Sequence, residues 1–245
     1  MTLVEATAAW LADSANWTGP GSIPQRLVEH VGLSAMALLA AVVVALPAGL
    51  AIGHTRRGSA FASNLANIGR AIPSLAVIGI VLPFTAAIDP QLGFKVYPTL
   101  VAMVVLAIPP ILVNAETGVA GVDPELVESA RGMGMREGQV LAAVEIPVAL
   151  PVILAGIRSG ATQIVATMTL GAIFGSGGLG RFLVEGIAQR DGDAMAWGGV
   201  VLVAALALAT EGAFALLQRV ATSPGLRRAA GPVTRPSRTT GSLSP

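Results

Sequence analysis

Few residues of this 245-residue chain have types and spacings that could do chemistry, and those few argue against catalysis. The single lysine, Lys95, sits in Gly93-Phe94-Lys95-Val96, which cannot form a phosphate-cradling Walker A loop. With no cysteine there is no thiolate nucleophile, no disulfide framework and no lipid-attachment thiol. His30 and His54 bracket one apolar run, too far apart in sequence to suggest a metal site, so neither metal nor cofactor is expected. Ser176, between Gly175 and Gly177, is the one serine placed like a nucleophile in an apolar setting. No histidine follows residue 54 to serve as its base. The charged residues that do call for an explanation are Arg158, Glu116 and Glu211, each set in or beside a long apolar stretch.

The elements around these residues must be membrane helices. Apolar residues make up 53% of the chain, and the 29 glycines raise that share to about 65%, against about 45–50% in soluble domains. Charged residues are 12% and mean hydropathy is +0.73, too little polar surface to clothe a soluble globule. A net charge of +1 without a basic, aromatic-laced stretch excludes a nucleic-acid partner. The N-terminal residues lack a positive region and include Glu5 and Asp13, so they do not read as a signal peptide.

A bilayer core about 30 Å thick asks for about 20 apolar helical residues. Five stretches meet that demand: 31–53, 71–88, 96–115, 148–174 and 195–217, giving an all-α, polytopic transmembrane bundle. Together they form a permease domain over 31–218, after an extracytoplasmic segment 1–30 and before a basic, disordered tail 219–245. The segments between alternate spans carry 11 and 4 of the 15 basic residues. The richer set should be cytoplasmic, which puts the N-terminus outside and the C-terminus inside a cell membrane. Prolines at 47, 73, 83, 109, 110 and 151 need neighbouring helices or a water-filled path to satisfy the carbonyls they free. Glycine pairs four apart, such as Gly49/Gly53 and Gly156/Gly160, let backbones approach closely.

Arg158 is costly at membrane depth. It either snorkels toward the cytoplasm or pairs inside the bundle with Glu211 or Glu116. The run Gly175, Gly177, Gly178 and Gly180 reads as an outer corner, explained equally by a re-entrant loop or a gate. The connection 116–147 holds two short helices. Asp123-Pro124 starts the first, Gly132 and Gly134 stop it, and a second covers about 136–145 before Pro147 opens the next span. Their apolar faces either pack under the chain's own bundle or fill a groove on a cytoplasmic partner.

The residues of this loop carry a resemblance. Glu128-Ser129-Ala130, three residues, Gly134, nine residues, then Val144-Glu145-Ile146-Pro147 resembles the EAA signature of type I ABC importer permeases. Ser129, Val144 and Ile146 are mild departures, and the spacing is intact. Ile72-Pro73-Ser74-Leu75-Ala76, Pro110-Ile111-Leu112-Val113-Asn114 and Gly175-Ser176-Gly177-Gly178-Leu179-Gly180 are similar to the permeases that import osmoprotectants such as glycine betaine, choline, carnitine and proline betaine. Arg70-Ala71 and Ala115 depart from that pattern. The resemblance, over about residues 27–218, implies that Glu128, Ser129, Ala130, Gly134, Val144, Ile146 and Pro147 form an ATPase-coupling loop. It also implies cytoplasmic ABC ATPase subunits, a second permease of the same or a homologous chain, and an extracytoplasmic solute-binding protein, all set in membrane lipid. An amino acid such as methionine is the alternative cargo, and a secondary transporter or channel the alternative class.

Overall fold

The computed structural model describes residues 2–221, and every regular element among them is helical. The first residues of the tail expected to be disordered, 219–221, are instead the last turn of α11, and the rest, from 222 onward, lies outside the described residues. Helix α1 (Leu3–Ala12) opens with a reciprocal cap in which the Glu5 amide donates to Thr2 Oγ1 and the Thr2 amide donates to Glu5 Oε2. Helix α2 (Ile23–Thr55) carries Pro24 in its first turn, where no amide is needed, and stops at Arg56 in the left-handed region with φ 55°. Helices α3 (Ser59–Ala71) and α4 (Ser74–Ile88) meet at Ile72-Pro73. The proline holds Ile72 in an extended conformation, and Ser59–Gly69 and Ser74–Ile88 are bent by 93°.

Beyond them come α5 (Leu92–Lys95), α6 (Tyr97–Ala120), α7 (Pro124–Gly132), α8 (Glu137–Val140), α9 (Ile146–Gly171), α10 (Gly180–Ala188) and α11 (Asp193–Ala221). Among the described residues four stretches are long and apolar enough to cross a membrane: Ile23–Thr55, Leu92–Ala120, Glu137–Phe174 and Asp193–Ala221. The bent pair α3–α4 makes a fifth if it counts as one span.

The core is a three-helix seam of α2, α6 and α9. Ala37, Ala41, Ala45, Gly49 and Gly53 repeat every four residues on α2, and all are buried. A β-carbon at Gly49 would lie 2.5 Å from the Leu112 carbonyl oxygen, and one at Gly53 would lie 2.7 Å from that of Glu116. The small residues let α2 pack backbone to backbone on α6. Gly156 does the same for α9, since its β-carbon would fall 2.8 Å from the Pro110 carbonyl oxygen. These glycine pairs make seams within the chain.

The loop differs from expectation in one respect. No break separates its second helix from the following span: Glu137 to Phe174 is one helical stretch. Its continuity comes from a π turn, Leu141–Glu145, in which the Ile146 amide donates to the Leu141 carbonyl five residues back. That wider turn makes room for Pro147, whose ring and missing amide would strain a regular α-helix.

Candidate functional site

The signature loop is built on α7. Asp123 Oδ1 accepts from the Glu125 amide at 2.9 Å, capping the helix. At its other end the Met135 amide reaches the Ala130 carbonyl and the Gly134 amide reaches that of Arg131. This is a Schellman stop, and it needs the left-handed φ of 85° that Gly134 adopts. Val122, Val127, Ala130 and Val140 are buried together, with Met135, Val144 and Val148 against them. Of the two openings left by the sequence, the chain itself takes up these apolar faces. Glu128 and Ser129 stay exposed, as does Pro147, and Ile146 is half-buried. Among the outward residues of α7 and its cap, Leu126, Ser129 and Met133 fall at i, i+3 and i+7, with Met133 77% exposed.

A charged chain ties this loop to the end of α2. His54 Nδ1 lies 2.5 Å from Glu145 Oε2, its Nε2 lies 3.2 Å from Glu137 Oε2, and Arg131 makes a two-pronged bond to Glu137 at 2.9 Å per prong. The hydrogen bonds it donates to Glu137 raise the already high pKa of Arg131. Arg56 adds a bond from Nη2 to the Val122 carbonyl at 3.4 Å. Sequence reasoning missed His54 because it was weighed only as a metal ligand. A polar ring at the last turn of a span, with a signature-loop glutamate to meet, was the available signal.

The α9 helix brings Arg158 against Glu211 of α11. Arg158 Nε donates to Glu211 Oε1 at 2.6 Å, Nη2 also reaches that oxygen, and Thr162 Oγ1 donates to Glu211 Oε2 at 3.3 Å. Glu116 lies elsewhere: its carboxylate accepts from Thr117 Oγ1, and among the described residues it joins no ion pair. The pair borders a cavity of about 710 Å³ that Ser159, Thr162 and Gln163 also line. A second cavity, about 500 Å³, lies across α9 between Ser74, Asn114, Ser159 and Gln163. Ser159 and Gln163, one turn apart and both exposed, belong to both.

The glycine corner follows α9. Gly175, Gly177 and Gly178 all have φ between 73° and 87°, and Gly180 begins α10. The corner is tied to the first turns of α2: the Gly178 amide donates to Glu29 Oε2 at 3.0 Å and the Leu179 amide to His30 Nδ1 at 3.2 Å. His30 is fully buried, and its Nε2 lies 3.2 Å from the Val165 carbonyl oxygen of α9. Because Nδ1 accepts, the proton sits on Nε2 and the ring is neutral.

Several apolar spans, seams of small residues and a signature loop at one end define a membrane permease subunit, with ATP hydrolysis left to a separate protein. The chain belongs to the family described as binding-protein-dependent transport system inner membrane component, which it matches over residues 34–227. It is 35% identical over 201 residues to the carnitine transport permease protein OpuCB of Listeria monocytogenes, covering 82% of this chain and 88% of that one. It is 32% identical over 211 residues to the choline transport system permease protein OpuBB of Bacillus subtilis, covering 86% and 94%. The osmoprotectant import permease protein OsmW of Salmonella typhimurium is 32% identical over 207 residues, covering 84% and 95%. This chain shares its fold with a chain of the MetNI methionine ABC transporter in an inward-facing form, at a TM-score of 0.71, 23% identity, and coverage of 82% and 96%.

Proposed function

We propose that this permease carries small quaternary-ammonium osmoprotectants, such as glycine betaine, choline, carnitine or proline betaine, into the cell. The observation that carries the reading is identity of 32–35% to carnitine, choline and osmoprotectant permeases over most of both chains. The likeness to a methionine transporter is one of fold. The cavity beside Asn114 and Gln163 offers neutral hydroxyls and amides and no aromatic face, so it would pass such a cation without holding it. Selection then belongs to the extracytoplasmic binding protein.

Ser159 and Gln163 cannot rest against lipid tails, so a second permease and a wet path cover that face of α9. The loop 116–147 lies in the cytoplasm, presents Leu126 and Met133 to the ATPase, and passes its movement to α9 through the continuous helix. Uptake by the reconstituted complex tests the cargo: glycine betaine, choline or carnitine should accumulate with ATP, and accumulation of methionine alone would overturn the reading. Single cysteines at Ser14, Asp89 and Asp191 should react with an impermeant thiol reagent in intact cells. One at Glu137 should not, and labelling there would reverse the orientation.

A further inference from the structure

Both ring nitrogens of His54 face carboxylate oxygens, Nδ1 toward Glu145 and Nε2 toward Glu137. A neutral imidazole donates from one nitrogen and would turn a lone pair on the other carboxylate. An imidazolium donates from both. Two other proton arrangements satisfy the geometry: a protonated Glu145 donating to a neutral Nδ1, or a protonated Glu137 donating to a neutral Nε2. Arg131 weighs against a protonated Glu137, because its guanidinium already takes both Glu137 oxygens in a two-pronged charge-assisted bond. A protonated Glu145 would leave Nδ1 bare, a state that ¹⁵N labelling of the ring reads. The other charged groups on the elements around His54 are Arg56, bonded to Val122, and Arg57 just after α2, Glu125 and Glu128 on α7, Arg136 at the start of α8, and Glu116 on α6, bonded to Thr117.

We infer that His54 is a charged clamp that fixes the pose of the signature loop on α2. This rests on the reading of that loop as the coupling element. The clamp joins four pieces of chain: the end of α2, Glu137 of α8, Glu145 of the π turn, and Arg131 of α7 through Glu137. Glu145 is 3% exposed, and His54 is the only ion-pair partner it has among the described residues. Without the cation, a buried carboxylate would stand uncompensated in the turn just before Pro147, and the turn would have to shift to reach water. His54 touches no solute and acts through its two carboxylates, so it is a positioning residue.

The chain has only two histidines, which makes the charge state directly readable. In the full complex with only this chain labelled with ¹⁵N-histidine, His54 should show two protonated ring nitrogens and His30 one. The His54→Gln variant assigns the signals. A bare Nδ1 on His54 overturns the inference whatever the transport data say. In the reconstituted complex, His54→Gln and Glu145→Gln should each lower binding-protein-stimulated ATP hydrolysis about tenfold, the scale of one lost charge-assisted hydrogen bond. The double variant should regain most of that loss, because two amides can pair. A double variant no better than the worse single change overturns the clamp. If Glu128→Ala and Gly134→Val abolish stimulation while His54→Gln leaves it intact, the coupling reading stands and the clamp falls. If Gly134→Val leaves stimulation at the wild-type level, the loop reading falls, and the positioning role of His54 falls with it.

Discussion

Helix α2 carries a histidine near each end, and the two sit in opposite surroundings. His30 is sealed from solvent between backbone groups, the Leu179 amide on one side and the Val165 carbonyl on the other. His54 lies between two glutamates, one buried and one at the surface. Backbone partners fix a single neutral tautomer and pin the glycine corner in place. Carboxylate partners hold a charged ring and leave the loop tied by contacts that side-chain motion can break. On the reading of the loop as the coupling element, one end of α2 is fixed in shape and the other is the end that answers to a partner.

That contrast can be tested in order of decreasing cost to stability. His30→Leu should cost the most, about 1–3 kcal/mol, because the buried Leu179 amide loses its acceptor and has no water to replace it. The thermal midpoint of the purified complex in detergent reads this, and an unchanged midpoint would remove the corner's claim to rigidity. Gly178→Ala comes next. Its φ of 73° is unfavourable to any β-carbon, by about 1–2 kcal/mol, and that carbon would sit 3.1 Å from Met168 Cε and 3.2 Å from His30 Nδ1.

Gly134→Val carries similar backbone strain at φ 85°, but a β-carbon there meets nothing within 4 Å. Stability should fall by about 1 kcal/mol or less, since the exposed stop can open. Stimulated hydrolysis and uptake should nevertheless drop together. Equal losses of stability at Gly178 and Gly134 would erase the distinction between the two ends. Smallest of all in stability is Leu126→Ser, within about 0.5 kcal/mol as an exposed change. Its effect should appear only as weaker retention of the ATPase subunit in co-purification.

The α9–α11 pair offers a separate check. Arg158→Ala should lower assembly or uptake by leaving the Glu211 carboxylate unpaired, and adding Glu211→Gln should partly restore it. Glu116→Gln should not, because Glu116 bonds elsewhere.

Much was legible from residues alone, because membrane physics leaves few options. A stretch of about 20 apolar residues must be helical, since hydrocarbon offers no partner to an open backbone. Asp123-Pro124 and Gly134 announced the start and stop of α7 for equally local reasons. A capping carboxylate and a left-handed φ act within one turn of chain. The spacing Glu128…Gly134…Pro147 was likewise readable as a signature.

Other features waited on the tertiary structure, because they join residues far apart in sequence or turn on accommodation. Helical periodicity showed that Val127, Ala130 and Val140 form apolar faces, but whether those faces meet their own chain or a partner depends on where α6 and α9 deliver the loop. Pro147 looked like a boundary, and only the π turn before it shows how a helix can run through. Arg158 had two carboxylates at similar apparent depth, and the rotation of α9 about its axis chose Glu211. His54 and Glu145 lie 91 residues apart. Local sequence determines which segments become helices, since that depends on neighbours within a few turns. Which side chains meet depends on how those helices rotate and cross, a choice made by the backbone approach that Gly49, Gly53 and Gly156 allow.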